Sequence, residues 1–235
     1  MIPLRDDNPS QLKPIVNITV IVVCSVVFLW QLLQGARGAS LIGYSLGLVP
    51  SVLFGFDHLP SDLALVPPAA TIFTSMFLHG GWMHLIGNML YLWIFGDNIE
   101  DSMGHVRFVF FYILCGVAAA LAQALPDPHS QLPMIGASGA ISGVLGAYLL
   151  LYPHARVLVL IPLGFILQTA RLPASIVLLL WFGLQLVSNL MAKPGSGGVA
   201  FRAHIGGFVA GMLLVWIFKK RGVRLFNPAR RPDML

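Results

Sequence analysis

The chain has 235 residues, of which 57% are hydrophobic and only 10% are charged. An ordinary soluble domain carries about 25% charged residues, so this composition argues against a soluble globule. The net charge of +5 does not indicate nucleic-acid binding, because no basic patch is interleaved with surface aromatic residues. The composition therefore favours one compact membrane domain with membrane lipids as partners.

Long apolar runs predict six membrane-spanning helices, because a helix needs about 20 apolar residues to cross the hydrocarbon core. In chain order, the predicted spans cover residues 15–33, 71–95, 106–125, 136–152, 172–191 and 203–218. An all-α, polytopic membrane protein is therefore expected. Its predicted parts are a cytoplasmic segment 1–14, a helical membrane domain 15–218 and a basic cytoplasmic tail 219–235.

Two connections between the predicted spans are apolar but interrupted by proline and glycine. Residues 35–70 contain several prolines and are expected to lie partly in the membrane interface. Residues 157–170 are interrupted by Pro162 and Gly164, and at helical rise they are too short to cross a bilayer. We expect this second segment to be an interfacial connector.

The distribution of positive charge predicts the orientation in the membrane. Six spans place both termini on the same side, and of the 14 Lys and Arg residues only Arg37, Lys193 and Arg202 fall on the other side. The positive-inside rule then places both termini in the cytoplasm. The short polar ends favour the bacterial inner membrane, with an organelle membrane as the alternative.

Ser138 is the first candidate for a chemical role, because polar residues inside membrane spans are costly and often functional. It lies in the sequence Gly136-Ala137-Ser138-Gly139, at the start of the fourth predicted span. Close packing of small residues is the simpler interpretation of this segment, with Gly136 and Gly139 at a helix contact. The position at a helix N-terminus, however, also suits a developing oxyanion.

His204 opens the sixth predicted span and is followed by Gly207 and Gly211, which form a Gly-x-x-x-Gly pair. Such pairs let helix backbones approach closely. We expect this pair to bring the sixth helix against the small face of the fourth. A serine hydroxyl needs an adjacent base, and His204 would then supply it to Ser138. The alternative is a histidine satisfied by a lipid headgroup or water.

His84 and Asn88 are four residues apart and therefore share one face of the second predicted helix. Either side chain can donate a hydrogen bond to a tetrahedral oxyanion, and one such donor contributes about 3 kcal/mol of transition-state stabilisation. An interhelical hydrogen bond explains Asn88 alone, but it explains the clustering of His79 and His84 less well. The topology predicts that these groups lie at a similar depth to Ser138 and His204.

Together these residues resemble the rhomboid intramembrane serine proteases over most of the chain, from about residue 71 to residue 219. Four blocks carry the resemblance: His79-Gly80-Gly81-Trp82-Met83-His84 with Asn88; Gly96, Glu100, Gly104 and Arg107; Gly136-Ala137-Ser138-Gly139; and Ala203-His204 with Gly207 and Gly211.

The resemblance implies a six-helix fold that hydrolyses peptide bonds in or next to transmembrane segments of membrane-protein substrates. It assigns Ser138 as nucleophile and His204 as general base and then acid. This pair has no acidic third member, and it needs no cofactor or metal. The backbone N–H of Ser138, with His84 and Asn88, would form the oxyanion hole. In some members, an aromatic residue one helical turn after the nucleophile packs on the histidine. This chain has Ser142 there, which leaves open how the imidazole is held.

Other protease classes fit the sequence less well. A membrane metalloprotease needs a ligand set such as His-Glu-x-x-His, but no carboxylate lies between His79 and His84. An intramembrane aspartyl protease needs a second aspartate to pair with Asp97. The main alternative is a non-enzyme, either a catalytically inactive relative that binds transmembrane helices or a transporter. Inactive relatives usually lose the serine or the histidine, whereas this chain keeps both. A transporter would be expected to show internal repeats, and none are seen in the sequence.

Overall fold

The structure is a computed structural model that describes residues 1–164, 166–192 and 198–227. Three positive residues used to orient the chain, Lys193, Arg230 and Arg231, lie outside these ranges, as does the end of the basic tail.

Helices dominate the described residues. They are α1 (Ile15–Leu33), α2 (Gly35–Leu46), α3 (Pro50–Leu53), α4 (Thr71–Thr74), α5 (Trp82–Met103), α6 (His105–Ala124), α7 (Ser138–Leu151), α8 (Ala174–Met191) and α9 (Phe201–Phe218). Short 3₁₀ turns flank α4. The bounds of α1, α6, α7, α8 and α9 lie within two residues of the first, third, fourth, fifth and sixth predicted spans.

The predicted count of six spans is not confirmed. Within the described residues, four helices are long and apolar enough to cross a membrane, namely α1, α6, α8 and α9. Acidic residues occupy the last turns of α5. With 14 residues, α7 is about 21 Å long, against about 30 Å for a hydrocarbon core. Every residue of α7 from Gly139 to Leu149 is buried, so protein rather than lipid surrounds this helix.

The second predicted span is not one helix. The segment 71–95 was predicted to be continuous, but the chain leaves the helical conformation before His79 and re-enters it at the start of α5. Side chains partner the backbone N–H groups freed by this break. The N–H of His79 donates to Oε1 of Gln31 at 3.0 Å, and the N–H of Gly80 donates to Nδ1 of His84 at 3.3 Å. Donors that would otherwise be costly in a membrane are thereby satisfied.

The chain is mostly helical, as expected, but the all-α class needs correction, because three antiparallel strands among the described residues form a sheet. These are β1 (Ile2–Asp6), β2 (Arg156–Leu163) and β3 (Ile166–Pro173), in the order β1-β2-β3. The predicted connector 157–170 is thus most of a β-hairpin. Val157 and Val159 are fully buried, with the period of two that a strand requires. Gly164 has a φ of +62° at the turn, which glycine adopts readily.

The sheet and the tail after α9 gather at the end of the bundle where α7 finishes. There β1 pairs with β2, which follows α7 in the chain. The N–H of Phe226 donates to the carbonyl oxygen of Leu150 at 2.8 Å. The N–H of Lys220 donates to the carbonyl oxygen of Ser102 at 2.9 Å. Ser138 lies at the opposite end of α7, so this helix joins the two ends of the bundle.

Glu100 joins α1 to the turn between α5 and α6. Its carboxylate is fully buried and accepts the backbone N–H groups of Val16 and Asn17, at 3.0 and 2.8 Å. His105 contacts the same carboxylate. These N–H groups belong to the first turn of α1, which Pro14 leaves without a side-chain cap. An acidic group at a helix N-terminus also interacts favourably with the helix dipole.

Replacement of Glu100 tests this cap. Glu100→Ala leaves one buried and one partly buried N–H group without an acceptor, so we expect the free energy of unfolding to fall by about 2–4 kcal/mol. Reversible unfolding of the purified protein in mixed micelles measures the change. Asp62 is exposed, and Asp62→Ala should change the stability by less than about 0.5 kcal/mol. Equal stability of both variants would contradict the proposed role of Glu100.

Asp6 predicts a pH dependence of stability. Burial raises the pKa of the Asp6 carboxyl from 3.8 to about 7, although a hydrogen bond from the Tyr148 hydroxyl opposes the shift. The folded state therefore keeps a proton that the unfolded state releases above its own pKa of about 3.9. Stability from this group is lost as the pH rises from about 4 to about 7. Thermal melts over this interval should show the decline, and Asp6→Asn should flatten it. An unchanged slope in Asp6→Asn would assign the dependence to another group.

Candidate active site

Ser138 is the first residue of α7, and the turn before it requires glycine. Gly136 has a φ of +127°, and a Cβ at this position would lie 2.7 Å from Nε2 of His84. The N–H of Gly136 donates to the carbonyl oxygen of Ser75 at 2.9 Å, which ties the turn to the segment before α5. The absence of a side chain thus lets the chain enter α7 directly beside His84.

His204 lies in the first turn of α9, and its side chain reaches Ser138. Nε2 of His204 is 2.8 Å from Oγ of Ser138, which is a hydrogen-bond distance between groups 66 residues apart in the chain. The imidazole is buried, with 9% of the residue exposed. The structure therefore brings together the two residues from which the sequence predicted a catalytic pair.

Glycines set the distance between the helices that carry this pair. A Cβ on Gly207 would lie 2.0 Å from the carbonyl oxygen of Gly139, and a Cβ on Gly211 would lie 1.9 Å from that of Gly143. Real side chains never approach so closely, so α7 and α9 are in direct backbone contact. Both pairs advance in the same direction along the chain, so the two helices are parallel and their N-termini are adjacent.

Gln123 on α6 supports the turn that carries His204, and the sequence analysis did not identify it. Its Oε1 accepts the N–H of Ala203 at 3.3 Å, in a helix whose N-terminus has no side-chain cap of its own. The sequence did contain one signal for it, a lone side-chain amide within an apolar span. Such an amide is energetically costly in a membrane unless it has a hydrogen-bond partner. Through this bond α6 holds the first turn of α9 in place.

Two side chains of α8 also hold the imidazole, and both were missed. Oε1 of Gln185 lies 2.8 Å from Nδ1 of His204. The ring of Trp181 packs beside the imidazole with 5.8 Å between centroids. Ser142, at the position where some rhomboid proteases carry an aromatic residue, instead donates to the carbonyl oxygen of Ser138 at 2.6 Å. The aromatic neighbour of the histidine thus comes from a different helix.

His84 and Asn88 line the same cavity as Ser138. Because Nδ1 of His84 accepts the N–H of Gly80, a neutral His84 carries its proton on Nε2, the nitrogen nearest Gly136. Nδ2 of Asn88 is buried and has no hydrogen-bond partner within the described part of the chain.

His79 lies outside this space. Its ring is buried, with 2% of the residue exposed, and it packs edge-on against His84 with 5.1 Å between centroids. Its contribution is therefore to the position of the His84 ring.

A cavity of about 1430 Å³ gives access to these groups. It is lined by Ser138, His204, His84, Asn88 and Trp181, and by residues of the loop between α6 and α7. Water molecules occupy about 30 Å³ each in the liquid. The cavity is therefore large enough for water together with a short extended peptide.

The glycine contact can be tested without any assay of activity. Gly207→Ala places a methyl group against the backbone of α7, so we expect a loss of about 1–3 kcal/mol in the free energy of unfolding. Gly183 on α8 has open space where its Cβ would lie. Gly183→Ala should therefore be neutral or stabilising by up to about 1 kcal/mol. The packing interpretation fails if the two alanine variants have the same stability.

Comparison with known proteins identifies the family of this chain. The sequence profile of the rhomboid domain matches residues 68–221. RHOMBOID-like protein 5 of Arabidopsis thaliana is 28% identical over 150 residues, covering 64% of this chain and 44% of that protein. Rhomboid protein 1, mitochondrial, of Saccharomyces cerevisiae is 31% identical over 154 residues, covering 64% and 42%.

A bacterial relative is also similar. Rhomboid protease GluP of Bacillus subtilis is 34% identical over 143 residues, which cover 61% of this chain and 25% of that protein. The chain spans less than half of the length of each of these three relatives. Since the rhomboid profile matches more than half of its residues, the chain belongs to the rhomboid family.

Proposed function

We propose that this protein is an intramembrane serine endopeptidase that hydrolyses peptide bonds in or next to transmembrane segments of membrane-protein substrates. The observation that carries the proposal is the 2.8 Å contact between Nε2 of His204 and Oγ of Ser138 beside a large cavity. A serine hydroxyl becomes an effective nucleophile only when a base takes its proton. Membership of a family that includes a relative named as a protease supports the same reaction class.

The reaction proceeds through an acyl-enzyme. Oγ of Ser138 attacks the carbonyl carbon of the scissile bond while Nε2 of His204 takes the hydroxyl proton. The tetrahedral intermediate collapses as His204 returns this proton to the leaving amine, and the amine-side product departs. A water molecule then gives a proton to His204 and attacks the ester. Return of the proton to Ser138 releases the carboxylic acid product and restores the enzyme.

Three donors are available for the oxyanion of the intermediate. They are Nδ2 of Asn88, Nε2–H of His84 and the backbone N–H of Ser138. The buried amide of Asn88 supports this role, because an unpaired buried donor costs about 1–3 kcal/mol unless an acceptor reaches it. The oxyanion would supply that acceptor in the transition state, where the stabilisation accelerates the reaction. The N-terminus of α7 adds a favourable dipole.

We further propose that α5 and α7 complete a six-helix membrane domain with α1, α6, α8 and α9. Because α7 is short, its first residue lies below the membrane surface, and the cavity brings water to it from the non-cytoplasmic side. The sheet, residues 1–14 and the tail from residue 219 then lie in the cytoplasm, as the positive-inside rule predicts.

The short polar ends of the chain favoured the bacterial inner membrane as its location. The relatives include proteins named as mitochondrial and chloroplastic as well as a bacterial protease. They support a membrane location but give no support to the bacterial inner membrane in particular.

The catalytic pair can be tested in proteoliposomes. Wild-type protein and the variants Ser138→Ala and His204→Gln are offered a membrane-protein substrate with one transmembrane helix, and products are identified by mass spectrometry. We expect cleavage by the wild type and a loss of at least about a thousandfold in each variant, because neither retains a nucleophile with its base.

A second serine serves as the control for this experiment. Ser25 donates to a carbonyl oxygen within α1, away from the cavity, so Ser25→Ala should cleave at the wild-type rate. Cleavage by Ser138→Ala at the wild-type rate would refute the mechanism. Substrate binding without cleavage by any of the proteins, the wild type included, would instead favour an inactive, helix-binding rhomboid.

A further inference from the structure

The tautomer of His204 decides whether the pair with Ser138 is productive. Nε2 can accept the serine proton only when it carries none, so a neutral imidazole must have its hydrogen on Nδ1. In the other tautomer Nε2–H donates to the serine oxygen, and the base is absent. The group that faces Nδ1 therefore determines which of the two forms is stable.

In this structure the group that faces Nδ1 is the side-chain amide of Gln185, at 2.8 Å through Oε1. An amide presents an acceptor on one side and a donor on the other, so its orientation matters. Nε2 of Gln185 donates to the carbonyl oxygen of Trp181, one turn earlier on α8, at 3.5 Å. This long contact agrees with the orientation in which the amide oxygen faces His204. An acceptor at that place favours the hydrogen on Nδ1.

Trp181 packs beside the same imidazole. It lies four residues before Gln185, so both side chains project from one face of α8. Its ring is inclined by 35° to the imidazole and also neighbours Phe208, with 6.2 Å between centroids. The imidazole is thus held by α8 at Nδ1 and along its ring, while Nε2 points to Ser138.

We propose that Gln185 is a positioning residue, which holds His204 in the tautomer that accepts the proton of Ser138. This inference rests on the proposed function. Once His204 has taken the proton, both ring nitrogens are donors, and Oε1 of Gln185 continues to accept from Nδ1–H. Hydrogen bonds to a charged donor are stronger than those between neutral groups, so the same amide stabilises the imidazolium of the transition state.

Kinetics of two substitutions test the proposal. Gln185→Leu removes the acceptor, and we expect kcat to fall by about tenfold to a hundredfold, less than the roughly 10⁴-fold loss when the aspartate of a Ser-His-Asp triad becomes asparagine. KM should stay within about twofold, because Gln185 acts through His204. Gln185→Glu retains an oxygen acceptor for Nδ1–H, so it should restore most of the lost kcat.

Gln34 provides the matched control. Its Nε2 also donates to the carbonyl oxygen one turn earlier, that of Trp30, at 3.4 Å, and its side chain is exposed at the end of α1. Gln34→Leu therefore makes the same chemical change without a histidine partner. We expect it to retain the wild-type kcat.

Nitrogen-15 NMR of histidine-labelled protein in nanodiscs reads the tautomer directly, with His204 assigned from its absence in His204→Gln. The wild type should carry the hydrogen on Nδ1, and Gln185→Leu should shift His204 towards the Nε2–H form. This measurement needs no substrate. It therefore tests the role of Gln185 even if the cleavage experiment with Ser138→Ala refutes the proposed protease activity.

Three results would overturn the role of Gln185. The first is wild-type kcat in Gln185→Leu. The second is an equal loss in the leucine and glutamate variants, which would indicate packing at this position. The third is a wild-type His204 with its hydrogen on Nε2.

Discussion

The fold depends on the backbone contact between α7 and α9. Lipid tails are as apolar as leucine, so helices in a bilayer associate mainly through close van der Waals packing and polar contacts. Gly139 against Gly207, and Gly143 against Gly211, permit that packing. Because the two helices are parallel, the contact also places their N-termini side by side. The serine, the histidine and the positive ends of two helix dipoles therefore meet at one place.

A second constraint comes from the backbone donors near this place, which water cannot satisfy within the hydrocarbon region. Glutamine side chains from neighbouring helices accept hydrogen bonds from these N–H groups. Gln31 receives the N–H of His79 at the break before α5, and Gln123 receives the N–H of Ala203 in the first turn of α9. The same type of residue, Gln185, faces His204 itself. Amides that are costly in an apolar span thus maintain the irregular backbone around Ser138 and His204.

Much of the helical framework could be predicted from the sequence, because apolar runs report membrane burial residue by residue. The proximity of Ser138 and His204 followed from glycine spacing and from the side on which each span begins. The sheet could not be predicted in this way, since Ile2 pairs with Leu160 across most of the chain. Likewise, Ser142, one turn after Ser138, gave no indication that Trp181 of α8 supplies the aromatic neighbour of His204. These features depend on tertiary contacts that a local pattern does not encode.

Ser138 and His204 are supported to different degrees by the surrounding structure. At the far end of α7 the fully buried Tyr148 is hydrogen-bonded to Asp6 of β1, so the sheet anchors the helix whose first residue is Ser138. By contrast, the buried residues of α8 lie in its first turns, at Ala174, Val177 and Leu178, while Gln185 lies beyond them. Local stability follows local burial. Ser138 therefore lies on a helix that is enclosed by protein, whereas the orientation of His204 depends on a helix with few buried residues.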